Sequence, residues 1–249
     1  MKDTEITICG LAAVRARFER DSSSIVRLFF DRPMSKRVGL MCKALAASRK
    51  VYRCVEPAEL EKISGTLHHG GIVAVVAAPK LRAPTKAEVA EWAAQRAPLL
   101  LLDRIGNAHN LGAIARTAAF FGVPRLVISS DPAAAQPGAS AFRVAEGGLE
   151  AVELFRVPDL AEFCRGLAPH YLVAGAAAHG RALTPPQLRA RAGALPIALV
   201  LGNEERGLGT TVAGACVQLV HIPGRGRVES LNVSAAAAVL IWELLARGK

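Results

Sequence analysis

Three short stretches of the chain concentrate side chains that could bind or react. The first, Asn107-Ala108-His109-Asn110-Leu111-Gly112-Ala113-Ile114-Ala115-Arg116, crowds amides, an imidazole and a guanidinium into the start of an otherwise apolar run. The second is Gly202-Asn203-Glu204-Glu205-Arg206-Gly207-Leu208-Gly209, and the third runs from Gly224 through Arg225, Gly226, Arg227 and Glu229 to Ser230-Leu231-Asn232. Such side chains are costly to bury, so they either cap and decorate helices or face a ligand. A guanidinium suits a phosphate. Free N–H groups at a helix start favour a nearby anion, and glycine lets a backbone approach a ligand closely.

Familiar nucleotide and hydrolase signatures do not account for these stretches. Gly224-Arg225-Gly226 begins like a dinucleotide fingerprint but lacks the third glycine, and Gly202–Gly209 lacks the Lys-Ser/Thr of a phosphate loop. There is no G-x-S-x-G elbow. Taken alone, Ser230 reads as a helix N-cap, Asn110 as a helix-start residue and Glu204 as the partner of an arginine.

The elements that must position these residues follow from hydrophobic patterning. Residues 25–30, 51–55 and 71–78 read as strands, and 35–48 and 57–64 as helices, the second opening on Pro57. Together they make a small α/β sandwich over residues 1–79. Residues 80–98, with prolines around a polar, helical middle, read as a linker. Strand and helix patterns then alternate again, with strands at PLLLLD, RLVISS, VELFRV, YLVAGAAA, PIALVLG and VQLVHIP. Their near-continuous apolar character predicts a parallel sheet covered on both faces over residues 99–249. Each polar stretch follows one of these strands, where open parallel sheets bind ligands. The last helix is apolar nearly all round and is expected to be buried, against its own domain or a second subunit.

Composition narrows the class. The 249 residues are 51% hydrophobic and carry a net charge of +10. The positive excess leans toward the N-terminal third, where eleven arginines and lysines fall between Arg15 and Arg53. A basic surface of this kind attracts phosphate backbones. The five cysteines form no C-x-x-C pair and the six histidines show no metal spacing, so neither a disulfide framework nor a metal site is expected. With no signal core and no apolar run of about 20 residues, a cytoplasmic protein without membrane attachment is expected.

In order and spacing, the three stretches resemble the signatures of the SpoU/TrmH-type (SPOUT superfamily) RNA 2′-O-ribose methyltransferases. Asn110 to Ala118 is similar to the first signature, and Leu201-Gly202-Asn203-Glu204 with Gly207-Leu208 to the second. Ile222-Pro223 with Ser230-Leu231-Asn232-Val233-Ser234 is similar to the third. His68 to Ala74 resembles the end of the ribosomal-protein-like substrate-binding domain that precedes the catalytic domain in many members. The resemblance implies an α/β trefoil-knot domain, a homodimer, and S-adenosylmethionine bound by the knot loops. It implies cofactor contacts at Gly202, Ile222 and Leu231, with Gly207 and Pro223 in the same signatures. It implies active-site roles for Asn110, Arg116, Glu204, Ser230 and Asn232. Transfer RNA and ribosomal RNA enzymes share these signatures, so both remain substrates.

Two departures from the family pattern stand out. Asn107-Ala108 replaces a common Asp-Pro, and Asn203 stands where a small residue is commoner. The family's arginine is assigned as a base assisted by a substrate phosphate. A guanidinium almost never deprotonates, which favours phosphate clamp and charge stabiliser for Arg116. His109 reads as a surface residue at the helix start. The rival function is an RNA-binding or ribosome-assembly factor without methylation, which would have no need of Arg116, Glu204, Ser230 and Asn232 together.

Overall fold

The computed structural model describes residues 5–178 and 182–246. Its N-terminal part contains β1 (Glu5–Cys9), α1 (Leu11–Asp21), β2 (Ile25–Phe30), α2 (Gly39–Ala47), β3 (Val51–Cys54), α3 (Pro57–Ser64) and β4 (Ile72–Ala77). These strands form one sheet in the order β1-β4-β2-β3, with β2 and β3 parallel and the other pairs antiparallel. The segment expected as one helix at 35–48 divides into a 3-10 turn, Pro33–Arg37, and α2. The break falls at Val38, whose φ of −109° and ψ of 6° lie outside helical geometry.

Next come α4 (Lys86–Ala94), β5 (Leu99–Leu102), α5 (Ala108–Phe120), β6 (Arg125–Ser129), α6 (Ala139–Ala145), α7 (Gly148–Ala151) and β7 (Glu153–Val157). The chain continues through α8 (Leu160–Leu167), β8 (Leu172–Ala176), α9 (Pro185–Ala192), β9 (Ile197–Leu201), α10 (Thr210–Ala215), β10 (Gln218–Val220) and α11 (Val233–Leu240). It closes with a π-helical turn, Ile241–Ala246. The six strands β5 to β10 form a wholly parallel sheet in the order β10-β8-β9-β5-β6-β7. Both central strands are buried along their whole length, as expected of a sheet covered on two faces.

Two apolar layers cover that sheet. On one face, Leu100, Leu102, Leu126 and Leu199 pack with Leu111, Ile114 and Ala118 of α5 and with Ala237, Leu240 and Ile241. On the other, Leu99, Leu101, Val127 and Val200 pack with α8, α10 and Val89 and Trp92 of α4. A capping box between Thr85 and Glu88 starts α4. Helices α5 and α6 approach closely because residue 112 is glycine: a Cβ there would lie 2.4 Å from the Ala141 carbonyl oxygen.

The two sheets share the first apolar layer, which continues into Ile8, Val14, Leu28 and Ile72 of the N-terminal part. At their junction the Arg17 guanidinium meets the Glu150 carboxylate at 2.8 Å, with side chains 8% and 2% exposed. Arg20 donates to the carbonyls of Leu149, Glu150 and Val152 at the end of α7. Arg143 of α6 donates to Thr66 Oγ1 at 3.0 Å. Part of the basic cluster between Arg15 and Arg53 therefore holds the fold together. Arg17 and Arg20 join the two parts, Arg27 pairs with Glu5, and Lys50 donates to the Ser23 carbonyl at 2.5 Å.

The last helix buries one face within this chain. Its Val233, Ala237, Leu240, Ile241 and Leu244 are buried, but Val239 and Trp242 on other faces are exposed. It is a one-sided core helix in this chain.

Candidate active site

The three polar stretches meet at the carboxyl ends of β5, β9 and β10. Asn107, in extended conformation, caps α5 by accepting the His109 N–H at 2.8 Å. It supplies the acceptor that aspartate would supply, so the departure at this position leaves the helix start intact. Asn110 lies in the first turn of α5 and is only 9% exposed. Its Nδ2 donates to Glu204 Oε1 at 2.7 Å, and its Oδ1 accepts from Asn232 Nδ2 at 3.3 Å. One residue from each stretch thus enters a single chain: Glu204, Asn110, Asn232.

The carboxylate end of that chain is tightly held. Glu204 Oε2 accepts from the Gly106 N–H at 3.3 Å and Oε1 from the Asn107 N–H at 3.4 Å. Burial alone would raise its pKa, but hydrogen bonds from Asn110 and these backbone groups hold it below the ordinary carboxylate range. Glu204 is therefore an anion at neutral pH. Its partner is the Asn110 amide, and the expectation that it would pair with an arginine does not hold.

Glycines build the turn behind it. Asn203 and Gly207 exchange backbone hydrogen bonds at 3.0 and 2.9 Å, and Gly207 has a φ of 63°. A Cβ on Gly202 would lie 2.3 Å from the Gly207 carbonyl carbon. The chain's own return stroke therefore demands glycine at 202. Asp103, 2% exposed at the end of β5, accepts the Gly209 N–H at 2.7 Å and binds the Arg104 guanidinium at 3.1 Å. It ties the β5 loop to the β9 loop. Sequence reading passed over its role; the available signal was an acidic residue directly after four buried leucines.

The other expected residues lie differently. Asn232, not Ser230, caps α11, accepting the Ser234 N–H at 2.8 Å. Ser230 is exposed two residues upstream and makes no hydrogen bond to the trio among the described residues. Arg116 is more than half exposed and pairs with Glu146 at 2.9 Å. Six residues along a helix is a rotation of about 240° from Asn110, so Arg116 cannot share the trio's face. His109 is exposed, with Nε2 3.5 Å from the Arg143 guanidinium. Ile222 is half-buried, while Pro223 and Leu231 are exposed in the segment between β10 and α11.

Other chemistries find no support here. Burial pushes the Cys164 and Cys216 thiols up to about 12, which leaves them unreactive. Among the described residues no group of three or more His, Cys, Asp or Glu could hold a metal ion. None of the described helices is long and apolar enough to cross a membrane.

Comparison with known proteins decides the lineage. The SpoU rRNA Methylase family profile matches residues 97–242, and the RNA 2′-O ribose methyltransferase substrate-binding profile matches residues 7–82. The chain belongs to the SpoU methylase family. Among its SpoU relatives, the 23S rRNA (guanosine-2′-O-)-methyltransferase RlmB of Nitrosomonas europaea is 35% identical over 95% of this chain and 89% of its own. The protein of that name from Bordetella pertussis is 34% identical over 98% and 97%. A SpoU-like fold is seen in the rRNA methyltransferase of Sinorhizobium meliloti, with a TM-score of 0.77 at 20% identity over 98% of this chain and 87% of that one. The SpoU methyltransferase AviRb of Streptomyces viridochromogenes, solved with AdoMet, gives 0.73 at 22% identity over 96% and 89%.

Proposed function

We propose that this SpoU methylase transfers a methyl group from S-adenosylmethionine to a ribose 2′-hydroxyl of ribosomal or transfer RNA. The observation that carries the reading is the Glu204–Asn110–Asn232 chain, which draws one residue from each of the three signatures together at the carboxyl end of the parallel sheet. Among the relatives, RlmB is named for methylating guanosine 2′-oxygens of 23S rRNA, which makes ribosomal RNA the first substrate to test.

The cofactor reading rests on the loops after β9 and β10. Leu231 is 53% exposed and Ile222 half-buried, apolar surface of the kind a purine ring covers. Gly202 and Gly207 shape the loop after β9, and Pro223 stands exposed in the loop after β10. S-adenosylmethionine, when bound there, supplies a methyl group already activated by its sulfonium charge. The protein's task is to hold the ribose oxygen in line, an arrangement worth roughly 7–11 kcal/mol in well-oriented systems. Asn110, fixed by the Glu204 anion, orients the hydroxyl, and Asn232 and Ser230 flank it at the start of α11. Arg116 clamps an RNA phosphate, for which the Glu146 carboxylate stands in.

We assign substrate RNA binding to residues 1–79, a ribosomal-protein-like unit, a linker to 80–98, and a knotted cofactor-binding domain to 99–249. The functional unit in this reading is a homodimer. Phe120 is 82% exposed and Trp242 43% exposed, and the two are linked through Phe121 with ring centroids 5.0 and 5.4 Å apart. This exposed aromatic cluster supports that reading. Arg116 lies one turn before Phe120 on the same face of α5, so a second copy covering that patch would abut Arg116.

The deciding experiment incubates the protein with radiolabelled S-adenosylmethionine and unmodified ribosomal or transfer RNA. Label in alkali-resistant dinucleotides, absent with R116A, is expected. Cofactor binding with no incorporation into either RNA would refute the substrate assignment. RNA binding without cofactor binding would instead establish the non-enzymatic RNA-binding factor.

A further inference from the structure

Asn203 uses the whole hydrogen-bonding capacity of its side chain. Its Oδ1 accepts the N–H groups of Glu205 at 3.0 Å and Arg206 at 3.1 Å, which closes the turn after β9. Its Nδ2 donates to the Arg104 carbonyl at 2.9 Å and to Glu204 Oε2 at 3.3 Å. A carboxamide offers two acceptor sites and two donors, and all four are engaged. The acceptor half builds the turn. The donor half joins the β9 loop to the β5 loop and touches the carboxylate that orders Asn110.

We propose that Asn203 is a positioning residue for methyl transfer, its amide aiming the Glu204 carboxylate at Asn110 while locking the β5 and β9 loops together. The proposal rests on the placement of Glu204 in the catalytic machinery. A small apolar residue at this position would leave the Arg104 carbonyl and Glu204 Oε2 without this donor. Aspartate would keep the turn but set a second carboxylate against Glu204. The two halves of the side chain are therefore separable by substitution.

The charged groups on the elements that meet at Glu204 are few. Asp103 and Arg104 pair with each other, Glu205 and Arg206 follow on the same turn, and His109 lies in the first turn of α5 near Arg143. From the third stretch come Arg225, Arg227 and Glu229, all exposed, and the first turn of α11 contributes no acidic group. Asn203 hydrogen-bonds Arg104, Glu205 and Arg206 through their backbone groups rather than their charged side chains.

The test compares wild type, N203D and N203S. It measures methylation of unmodified ribosomal RNA, S-adenosylmethionine binding by calorimetry, and titration of the carbon-13-labelled Glu204 carboxyl by NMR. In N203D the Glu204 titration moves up, because a like charge replaces a donor. kcat falls about 10–100-fold, the scale of an ångström-sized misplacement, while the cofactor Kd is unchanged. N203S, whose hydroxyl keeps an acceptor for the turn and one donor, loses less; it also decides the matter if N203D does not fold. An unmoved Glu204 titration with wild-type kcat overturns the proposal. Equal losses of cofactor binding and kcat in both variants also overturn it, reducing Asn203 to a loop-former. Should wild type leave RNA ribose unmethylated, the functional reading falls, while the Glu204 titration still decides whether Asn203 governs that carboxylate.

Discussion

Asn110 and Glu204 are 94 positions apart in the chain, yet their side chains meet at 2.7 Å between two adjacent strands of the parallel sheet. The contact joins a buried amide to an anion that also accepts from the Gly106 and Asn107 backbone N–H groups and from Asn203 Nδ2. It gives Asn110 a defined orientation and an Oδ1 free to accept from Asn232.

Glu204→Gln replaces an acceptor with an amide that can turn its NH2 toward the Gly106 and Asn107 N–H groups. Loss of the charge-assisted bond to Asn110 is expected to lower kcat about 10–100-fold. Steady-state kinetics with saturating S-adenosylmethionine checks this.

The depressed pKa of Glu204 sets a pH window. A carboxylate whose folded pKa lies below its unfolded value contributes stability that is present above the unfolded value and lost as pH falls through the folded one. Activity that depends on the Glu204 anion is therefore expected to persist as pH falls past the ordinary carboxylate value of 4.5, and to fail only below it. In E204Q this acid limb disappears from the stability curve, measured by chemical denaturation across pH.

Arg116→Ala is expected to abolish RNA methylation without weakening cofactor binding, because its present partner is the exposed Glu146 rather than the cofactor loops. Arg116→Lys keeps the charge but loses the fork that grips a phosphate bidentately, so partial activity is expected. Full activity with an unchanged pH profile in R116K would remove the base assignment.

Arg17→Ala leaves the Glu150 carboxylate buried without its partner. Burial already pushes that carboxyl up despite Arg17. Removing one member of a buried pair costs about 3–5 kcal/mol, whereas replacing both with apolar groups is often near neutral. R17A should thus lower the denaturation midpoint sharply, while R17M/E150L should recover most of it.

Phe120→Glu places a charge in the exposed aromatic patch. Light scattering is expected to show dimers for wild type and monomers for the variant, with Asn110 and Glu204 undisturbed because Phe120 points to solvent. A dimer of unchanged affinity would place the interface elsewhere.

Much of the fold was legible because periodicity is local. The six strands of the parallel sheet announce themselves as short apolar runs, and each matches a strand in position. Pro57 opens α3 and Asn107 opens α5, since caps and first-turn prolines act within a few residues. Local pattern said least where tertiary contacts decide. The last helix reads as apolar nearly all round, and the sheet covers one side of it, with Trp242 exposed on this chain. Arg17 and Arg20 read as part of a nucleic-acid surface, yet they are consumed in joining two halves of the molecule.

The sequence by itself determined the succession of strands and helices, the polar stretches after β5, β9 and β10, and the residue types available there. Those features depend on side-chain patterns within a few turns of chain. Only the tertiary structure decided which residues share a site. It placed Asn110, Glu204 and Asn232 in one hydrogen-bonded chain and turned Arg116 toward Glu146. It also gave Asn203 the task of linking the Arg104 carbonyl to the Glu204 carboxylate. Strand order in the sheet brings β5 beside β9, and that adjacency, set by packing across nearly a hundred residues, is not written in any local stretch.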